Sequence, residues 1–186
     1  QRDFEVTEVQ LIEKVHKENH VLKGVKLIGL QSPSRKRRYK EDGLKKAVGL
    51  YEGAAINIGH APKGSNPHPG DVLGQVRNVR FVEGKGNYGD VHLIPSHTMT
   101  PRMEFIAENM PGVLAMSHSA QGAAVLESDG TEVIEEILAV QSVDVVTKGG
   151  TTNGLFENAL EEGVVGDQLA LRERQEEIWK VNSTAW

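Results

Sequence analysis

The chain has 186 residues, of which 38% are apolar and 25% charged, and its formal net charge at pH 7 is −5. The length suits one domain or two small ones, with the composition of an ordinary globular protein. Cysteine is absent, which excludes disulfides, thiolate metal sites and a cysteine nucleophile, and the acidic charge argues against a nucleic-acid-binding domain. The sequence shows no apolar run long enough to cross a bilayer and no signal-peptide pattern, so we expect a soluble intracellular protein without a membrane partner.

Apolar patterning predicts strands and short helices in alternation along the chain. The predicted strands are 21–30, 54–58, 72–82, 88–94, 113–125 and 132–147, and the predicted helices are 43–50 and 101–110. Thr100 is the expected N-cap of the second helix, with Pro101 in its first turn. The basic stretch 32–39 is expected to lie outside the core.

This order of elements predicts an α+β fold: a mostly antiparallel β-sheet closing into a barrel, with a few surrounding helices. Residues 1–157 would form the domain. The Glu- and Arg-rich segment 158–186 would be a helical C-terminal tail that acts as a linker or an interface.

One candidate for chemistry is His60, which stands where the strand 54–58 opens into the Pro- and Gly-rich loop 61–70. A histidine there is held rigidly and stays accessible, and its imidazole can take a proton near neutral pH. A surface histidine that caps the loop is the equally frequent alternative.

Two further segments place polar side chains on predicted strands. Ser117 and Ser119 would share one strand face with His118 on the other, so His118 is not expected to be the base for its neighbour. Two serines on a strand commonly mark only a solvent-facing side. Asp144 interrupts an apolar strand and needs a partner, which is either an oriented histidine or, more commonly, an ordinary hydrogen bond or salt bridge.

Metal and phosphate sites are weaker hypotheses. His16 and His20 would lie one turn apart on a helix, with Glu13 and Glu18 nearby, but no third strong ligand follows. The basic cluster 35–38 is short, and a solvated loop is the better interpretation. We therefore expect no metal and no cofactor.

Taken together and in order, a series of short segments resembles the prohead (capsid maturation) proteases of tailed bacteriophages, which are related to the herpesvirus assemblins. The resemblance covers roughly residues 20–157. The segments are GVKLIG (24–29), RRY (37–39), AINIGH (55–60), GQVRNV (74–79), GDVHL (89–93), AEN (107–109), AMSHSA (115–120), SVDVV (142–146) and TTNGLFE (151–157).

The resemblance implies a serine endopeptidase with a herpesvirus-protease-like fold, its protease domain at residues 1–157. Ser117 matches the family's nucleophile, with Ser119 as the reserve nucleophile. His60 matches the base. Asp144 matches the third member of the triad, with Ser142 as its closest competitor.

The resemblance is less complete after the last strand. Family members often have Asp-Pro-Ala there, whereas this chain has Lys148, Gly149 and Gly150. We expect the backbone amides of Gly149 and Gly150 to be the oxyanion donors.

The implied substrates are the phage scaffold protein and the extensions of the major capsid protein, and the protease itself by autocatalytic cleavage. The implied location is the host-cell cytoplasm, inside the assembling prohead. Whether the chain forms a homodimer is left undecided by the sequence, and no nucleic-acid partner is expected. Two alternatives remain: a non-catalytic capsid scaffold or assembly protein that retains the protease fold, and a small β-barrel module that binds nucleic acid through its basic loop.

Overall fold

The computed structural model describes residues 14–157. In chain order its elements are β1 (Val15–His16), β2 (Val21–Gly29), β3 (Arg37–Tyr39), α1 (Glu41–Lys46), α2 (Val48–Tyr51), β4 (Ala55–Ile58), a 3₁₀ turn (Pro69–Asp71), β5 (Val72–Val82), β6 (Gly86–Leu93), α3 (Thr100–Asn109), β7 (Ala115–Leu126) and β8 (Glu132–Val146). The six predicted strands are confirmed, with ends shifted by at most about two residues. The helical tail expected at 158–186 lies outside the described residues.

The strands form one mixed eight-stranded sheet with the order β1-β2-β6-β5-β4-β8-β3, and β7 pairs with β8 off this path. Strand β7 pairs antiparallel with β8 along nearly the whole length of both strands. The other edge of β8 is therefore shared by two short parallel partners, β3 near residues 132–134 and β4 at residues 142–145. Helices α1 and α2 connect these two partners, and the α+β class fits.

The predicted closure into a mostly antiparallel barrel of the herpesvirus-protease type is wrong. The path of paired strands ends at β1, which pairs with β2, and at β3, which pairs with β8. The prediction failed because the order of the elements does not determine how strands separated by helices pair. The connection through α1 and α2 instead returns the chain to the same edge of β8, which produces parallel pairs and an open, mixed sheet.

Three local predictions also differ from the structure. The basic stretch contains β3, and its Tyr39 is buried in the core rather than solvated. The first helix begins at Glu41 and is divided at Ala47 into α1 and α2. Thr100 is the first residue of α3 and not its cap, because its hydroxyl donates to the carbonyl of Ile94 at 2.6 Å.

The hydrophobic core is one cluster contributed by the sheet and the three helices. Its fully buried side chains include Leu22, Val25, Leu27, Leu44, Tyr51, Ile56, Leu73, Val76, Met103, Met116, Val143 and Leu155. Burial of each such aliphatic side chain stabilises the fold by about 1.5–3 kcal/mol before the entropy of ordering it is counted. Between residues 14 and 157, no helix is long and apolar enough to span a membrane.

Candidate active site

The candidate site is a row of side chains across three neighbouring strands. Ser117 of β7 is the register partner of Asp144 of β8, and Asp144 is the register partner of Asn57 of β4. Partners in register lie about 5 Å apart and place their side chains on the same face of the sheet. The pairing of the strands alone therefore aligns a hydroxyl, a carboxylate and an amide.

His60 reaches this row from the loop that follows β4. Gly59 has φ of +69°, a conformation that side-chain-bearing residues rarely adopt, and its N–H donates to the carbonyl of Val145 at 2.8 Å. The turn at Gly59 redirects the chain at the end of β4. The imidazole of His60 is half exposed, at 46%, and lies over the serine and the aspartate.

These side chains form a continuous chain of hydrogen bonds. Nδ1 of His60 lies 2.6 Å from Oδ2 of Asp144, and Nε2 of His60 lies 3.1 Å from Oγ of Ser117. A carboxylate accepts only, so Nδ1 carries the proton and Nε2 is left as the acceptor for the hydroxyl. The arrangement can transfer a proton from Ser117 to His60 and stabilise the resulting imidazolium.

The carboxylate of Asp144 is 2% exposed, and burial of an unpaired charge would be unfavourable by several kcal/mol. Its second oxygen, Oδ1, accepts a hydrogen bond from Nδ2 of Asn57 at 3.2 Å. Asn57 is itself buried, and its Oδ1 finds no hydrogen-bond partner among residues 14–157. Sequence analysis missed Asn57; the available signal was a polar residue inside the otherwise apolar strand β4.

Ser119, the alternative nucleophile, and Ser142, the alternative third member of the triad, have different partners from the residues of the row. The hydroxyl of Ser119, the reserve nucleophile, donates to Oε1 of Gln141 at 3.0 Å. Ser142 is buried, and its register partners are Ser119 and Ala55 rather than the residues of the row. The structure thus brings together Ser117, His60 and Asp144, and gives Ser119 a different partner.

The loop after β8 lies against the strand that carries Ser117. The hydroxyl of Thr152, which is buried, donates to the carbonyl of Met116 at 2.5 Å. A Cβ atom on Gly149 would lie 2.1 Å from Oγ1 of Thr152 and 3.0 Å from the carbonyl of Met116, so this close packing requires glycine. Gly150 lines the same cavity as Ser117. Gly149 therefore packs against β7, while Gly150 shares a cavity with Ser117; the role of Thr152 was not anticipated.

A cavity of about 810 Å³ follows β7, and Ser117 is among its lining residues, whereas His60 and Asp144 are not. Its β7 side is built largely from small residues, and the loop before β3 forms part of its lining. The lining includes Ile28, Ser32, Lys36, Arg37, Tyr39, Ser117, His118, Ala120, Gly122, Ala124, Leu126, Ile134, Gly150 and Thr151. Small side chains along a strand leave room for an extended polypeptide close to the backbone.

His118 points away from Ser117, as the alternation along a strand predicts. Its two ring nitrogens contact the hydroxyls of Tyr39 and Tyr51. Burial is the main cause that lowers the pKa of His118 from 6.5 to about 4, and the positive charge of Arg37 and the ring of His60 add to it.

The weaker site hypotheses find no support in the geometry. His16 lies in β1, while Nδ1 of His20 is 2.6 Å from a carboxylate oxygen of Glu104, so the two histidines do not share a helical face. In the part of the chain that the structure describes, no three His, Asp or Glu side chains are grouped to hold a metal ion. Two arginines of the basic cluster, Arg37 and Arg38, are paired with glutamates.

The comparisons with known proteins give an informative match among solved structures. No family model matches the sequence, and no curated protein matches it. Among solved structures, the bacteriophage T4 capsid assembly protease, gp21, matches with a TM-score of 0.54 and 18% sequence identity, over 69% of this chain and 82% of that chain. At this identity the match shows a shared fold. It gives no specific link to the herpesvirus enzymes.

Proposed function

We propose that this chain is a serine endopeptidase that matures phage proheads. The observation that carries the proposal is the chain of hydrogen bonds from Asp144 through His60 to Ser117, built on the register of three strands. The fold shared with a phage capsid assembly protease supports the same assignment.

In the proposed mechanism, Nε2 of His60 accepts the proton of the Ser117 hydroxyl while Oγ attacks the scissile carbonyl carbon. Asp144 stabilises the imidazolium and keeps its ring oriented. His60 then donates the proton to the leaving amine, which gives an acyl-enzyme and frees the first product. A water molecule, deprotonated by the same imidazole, attacks the ester carbonyl, and the proton returns to Ser117.

The developing oxyanion needs donors near Ser117. We assign this role to the backbone N–H groups of Gly149 and Gly150, because the loop that carries them packs on Met116 and lines the cavity at Ser117. Loss of one such donor lowers the rate by about 100-fold or more in other acyl-transfer enzymes.

The proposed substrates are the scaffold protein, the extensions of the major capsid protein and the chain itself, cleaved inside the assembling prohead in the host cytoplasm. The cavity along β7 suits such substrates, because an unfolded extension can lie against its small side chains as an extended strand.

The test is intact-mass analysis of the scaffold and capsid proteins after co-expression with this protein. Wild type is compared with Ser117→Ala and His60→Ala, and Ser119→Ala is the matched control because it removes a neighbouring hydroxyl bound to Gln141. We expect defined fragments with wild type and Ser119→Ala, and none with the other two variants. Identical masses in all four samples, with capsids still assembled, would favour a non-catalytic assembly protein.

A further inference from the structure

The back of strand β7 holds a partly buried imidazole between two phenols. Nε2 of His118 lies 2.9 Å from the hydroxyl of Tyr39, and Nδ1 lies 2.7 Å from the hydroxyl of Tyr51. The Tyr39 ring meets the imidazole edge-on, with centroids 5.5 Å apart, and the Tyr51 ring is nearly parallel to it. Tyr51 is completely buried and Tyr39 is 9% exposed.

All three side chains are neutral near pH 7. Burial lowers the pKa of His118 to about 4 and raises the pKa of both tyrosines. A neutral imidazole has one donor and one acceptor, so one phenol donates to it and the other accepts from it. Both ring nitrogens of His118 are hydrogen-bonded to the tyrosines, which fixes the orientation of the ring. The ring therefore has no nitrogen left to act as a base toward Ser117.

Within residues 14–157, strand β7 forms a ladder with β8 alone, so the contacts of His118 are a second attachment on its back face. The register between the two strands shifts between Ser119 and Ala120 and at two further positions toward the hairpin end. Bulges of this kind bend and twist a strand. The ladder is regular from Ala115 to Ser119, so the contacts of His118 add to that ladder, to the core packing of Met116 and to the hydrogen bond from Thr152 to Met116.

The two tyrosines come from segments on the far side of β8. Tyr51 ends α2, and its carbonyl accepts from Ala54 N–H in the turn that begins β4, the strand that leads to His60. Tyr39 lies in β3, which pairs with the same edge of β8 as β4 does. Through His118, the strand of the nucleophile is therefore joined to the segment that carries the base.

We propose that His118 is a positioning residue, which Tyr39 and Tyr51 hold on the back of β7 so that Ser117 Oγ stays within hydrogen-bond distance of His60 Nε2. The catalytic consequence rests on the proposed function; the anchoring of β7 does not. Displacement of a reacting group by about 1 Å lowers rates by about 100-fold, so loss of the anchor acts on the reaction rate more than on ligand binding.

The first test is the kinetics of Ser117 labelling by a fluorophosphonate probe, with each rate normalised to the fraction of protein labelled at completion. We expect Tyr51→Phe to lower the maximal labelling rate roughly tenfold and His118→Ala about 100-fold, with probe affinity within about twofold of wild type. His118→Gln, whose amide can both donate and accept, should recover part of the loss. Tyr88→Phe is the matched control, because its buried hydroxyl donates to the carbonyl of Glu157 instead.

The second test is independent of catalysis and measures amide hydrogen exchange at residues 116–119. We expect Tyr51→Phe to accelerate this exchange roughly tenfold or more, and Tyr88→Phe to leave it unchanged. The proposal would be overturned if Tyr51→Phe and Tyr88→Phe had the same exchange rates at residues 116–119. It would also be overturned if the two variants had the same normalised labelling rates at Ser117. If wild type does not label at all but exchange responds as expected, the proposed function fails while the anchoring role of His118 stands.

Discussion

At the scale of single residues, the site depends on how one buried carboxylate is held. Asp144 accepts from His60 through one oxygen and from Asn57 through the other, and both contacts follow from its position between β7 and β4. A carboxylate with two donors has little freedom to rotate. It therefore presents the same oxygen to the imidazole in the proposed mechanism.

Replacement of Asn57 by alanine should lower kcat about tenfold, because Asp144 loses one donor of a charge-assisted hydrogen bond worth about 1.5 kcal/mol. The measurement is kcat for a peptide cleaved by wild type, at pH 7. Asn109→Ala is the control, since that amide donates to the carbonyl of Phe105 on an exposed turn of α3. A kcat for Asn57→Ala within twofold of wild type would mean that the amide does not orient the aspartate.

The depressed pKa of His118 makes the stability of the fold depend on pH. The unfolded imidazole binds its proton near pH 6.5 and the folded one only near pH 4, so the unfolded state takes up more protons between these values. The contribution of His118 to the free energy of unfolding is therefore fully present above pH 6.5. It is lost as the pH falls toward 4, and the loss is at most about 3 kcal/mol.

This pH dependence is tested by urea unfolding of wild type and His118→Gln at several values between pH 4 and pH 7. We expect the free energy of unfolding to fall more steeply with acid in wild type than in the variant. Parallel curves for the two proteins would show that His118 titrates in the folded state as it does in the unfolded chain.

The three residues proposed as the triad could be named from the sequence, whereas the residues that support them could not. Ser117, His60 and Asp144 follow from residue type, strand position and the family resemblance. Asn57 and Thr152 do not, because the role of Asn57 depends on which strand positions face each other across the sheet, and that of Thr152 on how the loop after β8 packs on β7. Register between segments about 90 residues apart is set by tertiary pairing and leaves no local pattern in one sequence.

At the scale of elements, two glycines in the adjoining short helices α1 and α2 have opposite surroundings. A Cβ on Gly43 of α1 would lie 2.3 Å from the carbonyl oxygen of Glu135 on β8. A Cβ on Gly49 of α2 would meet no atom within 4 Å. Helix α1 can therefore pack closely on β8 only where it has no side chain.

The same substitution should thus have opposite effects at these two positions. Gly43→Ala should destabilise the protein by roughly 1–3 kcal/mol, because α1 must move away from β8. Gly49→Ala should stabilise it by up to about 1 kcal/mol through helix propensity. Thermal unfolding of both variants measures the difference, and a loss of stability at Gly49 equal to that at Gly43 would contradict the packing of α1 on β8.

The elements that were predicted well are those with a clear apolar pattern, such as the hairpin strands β5 to β8. Strand β3 was missed because two of its three residues are arginines, and Arg37 and Arg38 are accommodated by ion pairs with Glu132 and Glu127. Those pairs form only when β3 lies beside β8. Local hydrophobicity therefore could not reveal this strand.

At the scale of the whole molecule, the open sheet explains how the site is assembled. Strand β8 takes β7 along one edge and β3 and β4 along the other, so serine, aspartate and the segment leading to histidine are collected around a single strand. The barrel prediction missed this because composition and element order do not distinguish a closed antiparallel sheet from a mixed one with parallel crossovers.

The most direct test of the central claim is mass-spectrometric localisation of a fluorophosphonate adduct on the protein near neutral pH. The account predicts one adduct per chain on Ser117, absent from Ser117→Ala, strongly slowed in His60→Ala and retained in Ser119→Ala. An adduct on Ser119, or a rate on Ser117 that does not change when His60 is replaced, would contradict it.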